Sequence, residues 1–336
     1  MSNCSILGSY SLGQRRWMMK RKIGFGVAIL LVLAAIGFLL MGRDIAGKGN
    51  ASQSGNQVLV DSTGRQVNVP VHPQRVVILN ASNVDLYVAA GGGENIVGKA
   101  SSQTYSEEVN QATASAQDVG IIHSPNVEAI VALQPDLVIG TNVPYHQNLI
   151  PTLEKAGIPV YINSLNSFED IYNTLELYGR LTDHSQQAEE KINAMKSQRQ
   201  ELLAQIQGKT PPKSVIIFGN PESFSMATKK TFTGSLVEQL GGGNLADNLG
   251  KGDAYIPLSM EFLATQNPDA IFVIMMGNPQ TMQEKLRTDL EANPAWAGTN
   301  AVKNNRVHIL PYNLFTVNPG TQAIEAMKTL ANYMYP

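Results

Sequence analysis

His123 stands immediately before Ser124-Pro125, where an apolar run gives way to a helical one. An imidazole at such a turn can take an axial position on a chelated transition metal. Tyr145 and His146, in the next loop, add a phenol and a second imidazole. Further along, Met226, Lys229, Lys230 and Tyr255 offer a thioether, two cations and another phenol. Each has a plainer use: a histidine lining a turn, a tyrosine on a surface loop, lysines that are simply solvated. A naked zinc or manganese site needs three or four converging N/O donors. Of the histidines at 72, 123, 146, 184 and 308, only His123 and His146 fall near one another, so that chemistry fits poorly. The single cysteine, Cys4, precedes the apolar N-terminal segment, which excludes thiolate nucleophiles, disulfides and thiolate metal sites from the folded part. Gly91–Gly93 and Gly241–Gly243 follow helical runs instead of opening them, so neither is a phosphate loop, and no Gly-x-Ser-x-Gly elbow occurs.

The elements that must position these groups alternate between strand and helix. Arg75–Leu79 is a continuous apolar run followed by Asn80–Asn83 and a helical run to Ala90. Asp136–Gly140 and Pro159–Ile162 read as further buried strands, with helices before and between them. Val58–Val60 and Val67–Val69 flank the turn Asp61–Gly64 as a hairpin. The same grammar restarts at Ser214–Asn220, continues through Ala270–Ile274 and Arg306–Leu310, and closes with a helix over Thr321–Tyr335. Alternation of this kind predicts an α/β fold of two Rossmann-like lobes, 58–166 and 208–336. Between them Ser167–Gln207 reads as one long connecting helix with a joint near Gly179–Asp183; Ser167 and Asp170 resemble a capping box, and Gly208, Pro211 and Pro212 supply the stop. Glu128 and Glu261 each precede a Pro-Asp strand start by the same interval, which suggests that the lobes are related.

The chain has 336 residues, 43% hydrophobic and 15% charged, the composition of a folded globular protein of two ordinary lobes. The formal charge of −2 hides an asymmetry: residues 1–50 carry seven Lys/Arg and one acid, leaving 18 Lys/Arg against 26 Asp/Glu beyond them. A balance of −8 in the folded part argues against nucleic acid as a partner. Ile23–Met41 is a run of nineteen uncharged residues behind the basic region 1–22, and so reads as a membrane anchor or signal segment that places the rest outside the cytoplasm. Residues 42–57, rich in Gly, Ser, Asn and Gln, read as a flexible tether.

From about Val58 onward the chain resembles the substrate-binding proteins of ABC importers for iron complexes and cobalamin. The resemblance is carried by Asp61–Arg65, Pro73–Val77, Ser124–Ile139, Gly241–Asn244 and Asn267–Ile271, in that order around the long helical stretch. It implies two lobes joined by a rigid helix with the ligand cleft between them, a transported metal chelate (haem or a ferric siderophore, with a corrinoid as the alternative) and no permanently bound cofactor. It also implies a monomer that works with a permease dimer and its cytoplasmic ATPase, not an enzyme. Lipoproteins of that family place a cysteine directly after the apolar segment, where this chain has Met41-Gly42-Arg43.

In open α/β sheets ligands bind outside the carboxyl ends of the strands. Applied to the implied cleft, this nominates Asn80, Ser82, Tyr105, His123, Tyr145, His146, Met226, Lys230, Tyr255 and Tyr312 as ligand-binding, with His123 as the axial metal ligand that some haem-binding relatives place at this turn. The resemblance further implies that Glu128 and Glu261, in the first turns of matched helices, meet arginines of the two permease subunits. The plainer alternative is that each carboxylate only complements its helix N-terminus.

Overall fold

The structure, a computed structural model, describes residues 55–249 and 252–336. The basic region 1–22, the apolar segment 23–41 and most of the tether 42–57 lie outside the described residues. Asn56 and Gln57, expected in the tether, instead open β1 (Asn56–Val60), which pairs antiparallel with β2 (Gln66–Pro70). Asp61 makes the turn between them: its Oδ1 accepts the Thr63 and Arg65 amides at 2.9 and 3.0 Å.

The N-terminal lobe follows as β3 (Val76–Ile78), α1 (Ala81–Ala89), β4 (Ile96–Lys99), α2 (Glu107–Ala112), β5 (Gln117–Asp118), β6 (Gly120–Ile121), β7 (Ser124–Pro125), α3 (Val127–Ala132), β8 (Leu137–Gly140), α4 (Pro144–Gln147), α5 (Ile150–Lys155) and β9 (Val160–Ile162). Its sheet, β5-β4-β3-β8-β9, is parallel throughout. β3 and β8 are buried along their whole length, as strands covered on both faces must be, which is why they read as unbroken apolar runs. The strand order reverses between β3 and β8, so the crevice at their carboxyl ends is the natural ligand position.

The connecting stretch is two helices, α6 (Phe168–Leu181) and α7 (Ser185–Gln205), where a single helix over 167–207 was the simpler expectation. Asp183 takes φ 61° and turns the chain back on itself. Lys196 lies 5.1 Å from the Tyr172 ring centroid and Arg199 lies 5.4 Å from that of Phe168. A Cβ on Gly179 would come within 2.6 Å of Ala188. Moving back along α6 therefore moves forward along α7, and the pair is an antiparallel hairpin. The physical reason is burial: a straight helix would leave Ala188, Ile192 and Met195 facing water, whereas the hairpin packs them into the core. Of the two, α7 runs the length from one lobe to the other. Gln187 near its start donates to the Ala89 carbonyl at 3.0 Å, and Arg199 near its end donates to Gln239 at 3.0 Å. Its 21 residues amount to about 30 Å of helix.

The C-terminal lobe comprises β10 (Lys213–Gly219), β11 (Phe224–Ala227), α8 (Phe232–Gln239), β12 (Gly243–Asn244), β13 (Tyr255–Pro257), α9 (Met260–Gln266), β14 (Ala270–Met275), α10 (Pro279–Leu286), α11 (Pro294–Ala297), α12 (Asn300–Lys303), β15 (Val307–Ile309), α13 (Tyr312–Phe315) and α14 (Ala323–Met334). Here the Rossmann-like expectation needs correcting. β10, β14 and β15 are parallel, but β11 runs antiparallel to β10 and β13 antiparallel to β11, so the sheet is mixed. Four residues, Asn220–Ser223, separate β10 from β11, and a parallel crossover needs a dozen or more.

One core is continuous between the lobes. Ile78 of the first sheet, Ile216 and Phe272 of the second, and Phe168, Met195, Leu202 and Met327 of the helices belong to the same buried cluster. A second seam is polar. After α13 the chain returns to α1, where Asp85 accepts the Thr321 amide at 2.6 Å and its hydroxyl at 3.2 Å. Ser82 donates to the Asn318 carbonyl, and the Asn318 side chain donates to the Leu165 carbonyl at 3.0 Å. A Cβ on Gly320, φ 59°, would fall 2.2 Å from the Asp85 carboxylate, so the clasp requires glycine there.

Candidate ligand cleft

Between the two sheets lies a cleft of about 800 Å³, within the range of sites for small molecules and cofactors. On one side it is lined by the residues that follow β3 and β4, by the turn between β6 and β7, and by Tyr145 of α4. Asn220–Glu222, Met276, Gly277, Tyr312, Thr316 and Val317 line the other.

His123 reaches the cleft by a route the sequence did not suggest. Ser124-Pro125 was expected to start a helix, but forms β7, paired with β6 through a two-residue turn of Ile122 and His123. A Cβ on Gly120, φ 92°, would meet the Ser124 carbonyl at 2.5 Å, so glycine permits this tight hairpin. The helix starts later, where Asn126 caps α3 by accepting the Ala129 amide at 3.0 Å. The exposed His123 ring meets Tyr145 edge-on, with centroids 5.3 Å apart. Tyr145 and Tyr312 are each about half exposed, at 50% and 47%, and thus present ring surface to a ligand.

The nominated residues divide in three. Asn80, Ser82, His123, Tyr145 and Tyr312 line the cleft, although the Ser82 hydroxyl is committed to Asn318. Tyr105 lines a small crevice beside it: its hydroxyl donates to the Ala100 carbonyl at 2.7 Å, and Lys99 sits 4.6 Å from its ring centroid. The remaining four lie elsewhere. His146 is fully buried, its Nδ1 accepting the Thr141 amide at 2.9 Å, and so it shapes the loop behind Tyr145. Burial pushes its pKa down to about 4, outweighing its contacts with the Ile122 and Thr141 backbone. With Nδ1 accepting, the proton sits on Nε2, which lacks a hydrogen bond of good geometry among the described residues. Met226 is buried in the core of the C-terminal lobe, where β11 turns it inward. Lys230 is exposed ahead of α8, and Tyr255 packs on Phe218 at 5.1 Å; neither lines the cleft.

The sequence reading missed Thr316 and Val317. They follow the one-turn helix α13, which is too short to leave a periodic signal. It also passed over Ile121, which is 52% exposed at the cleft, and Glu222. Among the described residues no group of three or more His, Cys, Asp or Glu is arranged to hold a metal ion, and no helix is long and apolar enough to cross a membrane.

Two α/β lobes, one stiff connector and a cleft at the strand ends define a binding protein that holds a small molecule between its halves. Residues 76–314 match the periplasmic binding protein family, and the chain belongs to it. The uncharacterised ABC transporter substrate-binding lipoprotein YvrC of Bacillus subtilis is 28% identical over 95% of this chain and 98% of its own length. The high-affinity heme uptake system protein IsdE of Staphylococcus aureus is 28% identical over 65% of this chain and 74% of its own. The crystal structure of S. aureus IsdE complexed with heme matches at a TM-score of 0.70 and 25% identity, covering 78% of this chain and 99% of that one. S. aureus SirA complexed with staphyloferrin B has the same fold at a TM-score of 0.68 and 20% identity, over 82% and 98% of the two chains.

Proposed function

We propose that this chain is the extracytoplasmic substrate-binding component of an ABC importer, which captures an iron chelate, haem or a ferric siderophore, and delivers it to the permease. The observation that carries this is the cleft, about 800 Å³ lined from both lobes, on a chain whose relatives include a heme uptake protein and whose fold is shared with a siderophore binder. Residues 23–41 tether it to the membrane in this reading, and it works as a monomer by stoichiometric capture rather than turnover. His123 is the side chain best placed to ligate a macrocyclic metal, and Tyr145 and Tyr312 supply stacking surface. Glu128 and Glu261, both exposed, are the docking points for the permease.

The absorption spectrum of protein purified from cells fed haem, ferric siderophore or cobalamin tests this directly. A Soret or siderophore charge-transfer band with one chelate per chain is the expected result. A corrin spectrum would move the ligand to the corrinoid class, and product formation from a bound chelate would replace the receptor with an enzyme.

A further inference from the structure

We infer that the cleft selects chelates that present no net negative charge to its walls. The inference rests on the receptor reading above and narrows its ligand. The described lining is aromatic, aliphatic and neutral polar, apart from His123 and a single carboxylate, Glu222. Glu222 is held at the cleft by its loop, since Asn220 Oδ1 accepts both the Glu222 amide at 2.8 Å and the Ser223 amide at 2.9 Å. Facing lobes therefore offer a ligand the half-exposed rings of Tyr145 and Tyr312 and a negative charge from Glu222. Ring faces and carboxylates attract cations and tolerate neutral molecules. A polyanion would lose hydration on entering and gain a like charge in exchange. The lysines that sequence alone had offered, Lys229 and Lys230, do not line it: Lys229 pairs with Glu238 at 3.5 Å and Lys230 is exposed elsewhere. Lys99, at the end of β4, is turned onto Thr113 and Tyr105. The favoured ligand class is accordingly a neutral or cationic chelate with an apolar periphery, and haem enters only with its carboxylates left in solvent.

The full-length protein in detergent is titrated with a neutral ferric tris-hydroxamate, a trianionic ferric tris-catecholate of similar size, haem, haem dimethyl ester and cyanocobalamin. At least one neutral chelate should bind about tenfold or more tighter than the tris-catecholate, and esterifying haem should not weaken it. Glu222→Lys should raise tris-catecholate affinity by about tenfold while leaving the neutral chelate within about threefold of the unsubstituted protein. A tighter tris-catecholate than any neutral chelate, or a tenfold loss on esterifying haem, would overturn the charge inference while leaving the receptor reading standing. Binding of none of the five overturns both.

Discussion

Gln134 and Asn267 occupy the same left-handed position, at φ 47° and φ 48°, just beyond the helices that carry Glu128 and Glu261. The correspondence extends to both sides. Asn126 and Ser259 cap the two helices through the third amide inside each, at 3.0 and 3.1 Å. Asp136 and Asp269 then accept strand-opening amides, of Arg75 at 3.0 Å and Lys213 at 3.2 Å. Each glutamate is the second residue of its helix. The two carboxylates are thus structural equivalents on two lobes, the arrangement on which the proposed docking rests.

Replacing both Glu128 and Glu261 by Ala should leave ligand affinity unchanged and abolish uptake in cells. If the carboxylates serve only their helix ends, the double variant instead loses about 0.3–1 kcal/mol per site and keeps transport. Radiolabelled chelate uptake beside a melting curve separates the two, and wild-type uptake by an exported double variant refutes docking.

His123→Ala should change the visible spectrum and weaken binding only when the ligand is a metal macrocycle, because an axial bond is directional while ring packing against Tyr145 is modest. An unaltered haem spectrum in the variant would remove His123 from the coordination sphere.

His146 makes the fold acid-sensitive. Its folded pKa of about 4 lies below the usual histidine value, so its contribution is complete above that usual value and is lost as pH falls from roughly 6.5 toward 4. The loss is on the order of 3 kcal/mol. His146→Gln, whose amide oxygen can still accept the Thr141 amide, should flatten that slope in urea melts. An unchanged slope would show that another group titrates.

Asp85 carries the opposite sign. Burial raises its carboxyl pKa, against the Thr321 hydrogen bonds and Lys191 that favour the ion. A raised carboxylate pKa favours the fold when protonated, so stability falls as pH rises through the folded value. Asp85→Asn keeps an acceptor for Thr321 and should melt at or above the unsubstituted protein at pH 8. A large drop there would mean that the charge itself holds the clasp.

The lobes should scarcely move on loading. Besides α7, they share one buried cluster and the Asp85–Thr321 and Ser82–Asn318 contacts, so opening would break backbone hydrogen bonds along a helix or expose core. Small-angle scattering of free and loaded protein should overlay, and a clear compaction would contradict the stiff connection.

What could be read from the sequence followed periodicity. β3 and β8 announced themselves as apolar runs because both faces are covered, and Asn80 and Ser82, nominated after β3, do line the cleft. What could not be read depended on single backbone angles and on distant partners. A joint near Gly179–Asp183 was legible, but not that Asp183 at φ 61° folds the second helix back along the first, and Gly120 at φ 92° turns an apparent helix start into a hairpin. Met226 was nominated for its thioether from its place after β10, whereas it lies in β11, where strand alternation turns its side chain into the core.

The clasp also sets an order of events for the growing chain. Asp85 and Thr321 are 236 residues apart. At roughly 5–20 residues per second of synthesis, their emergence is separated by about 10–50 seconds. Throughout that interval α1 carries a carboxylate without its partner, and Leu165 offers a carbonyl to an Asn318 that has not yet been made. The N-terminal lobe therefore cannot mature as a finished unit ahead of its neighbour, and its last fastenings wait for residues 318–321.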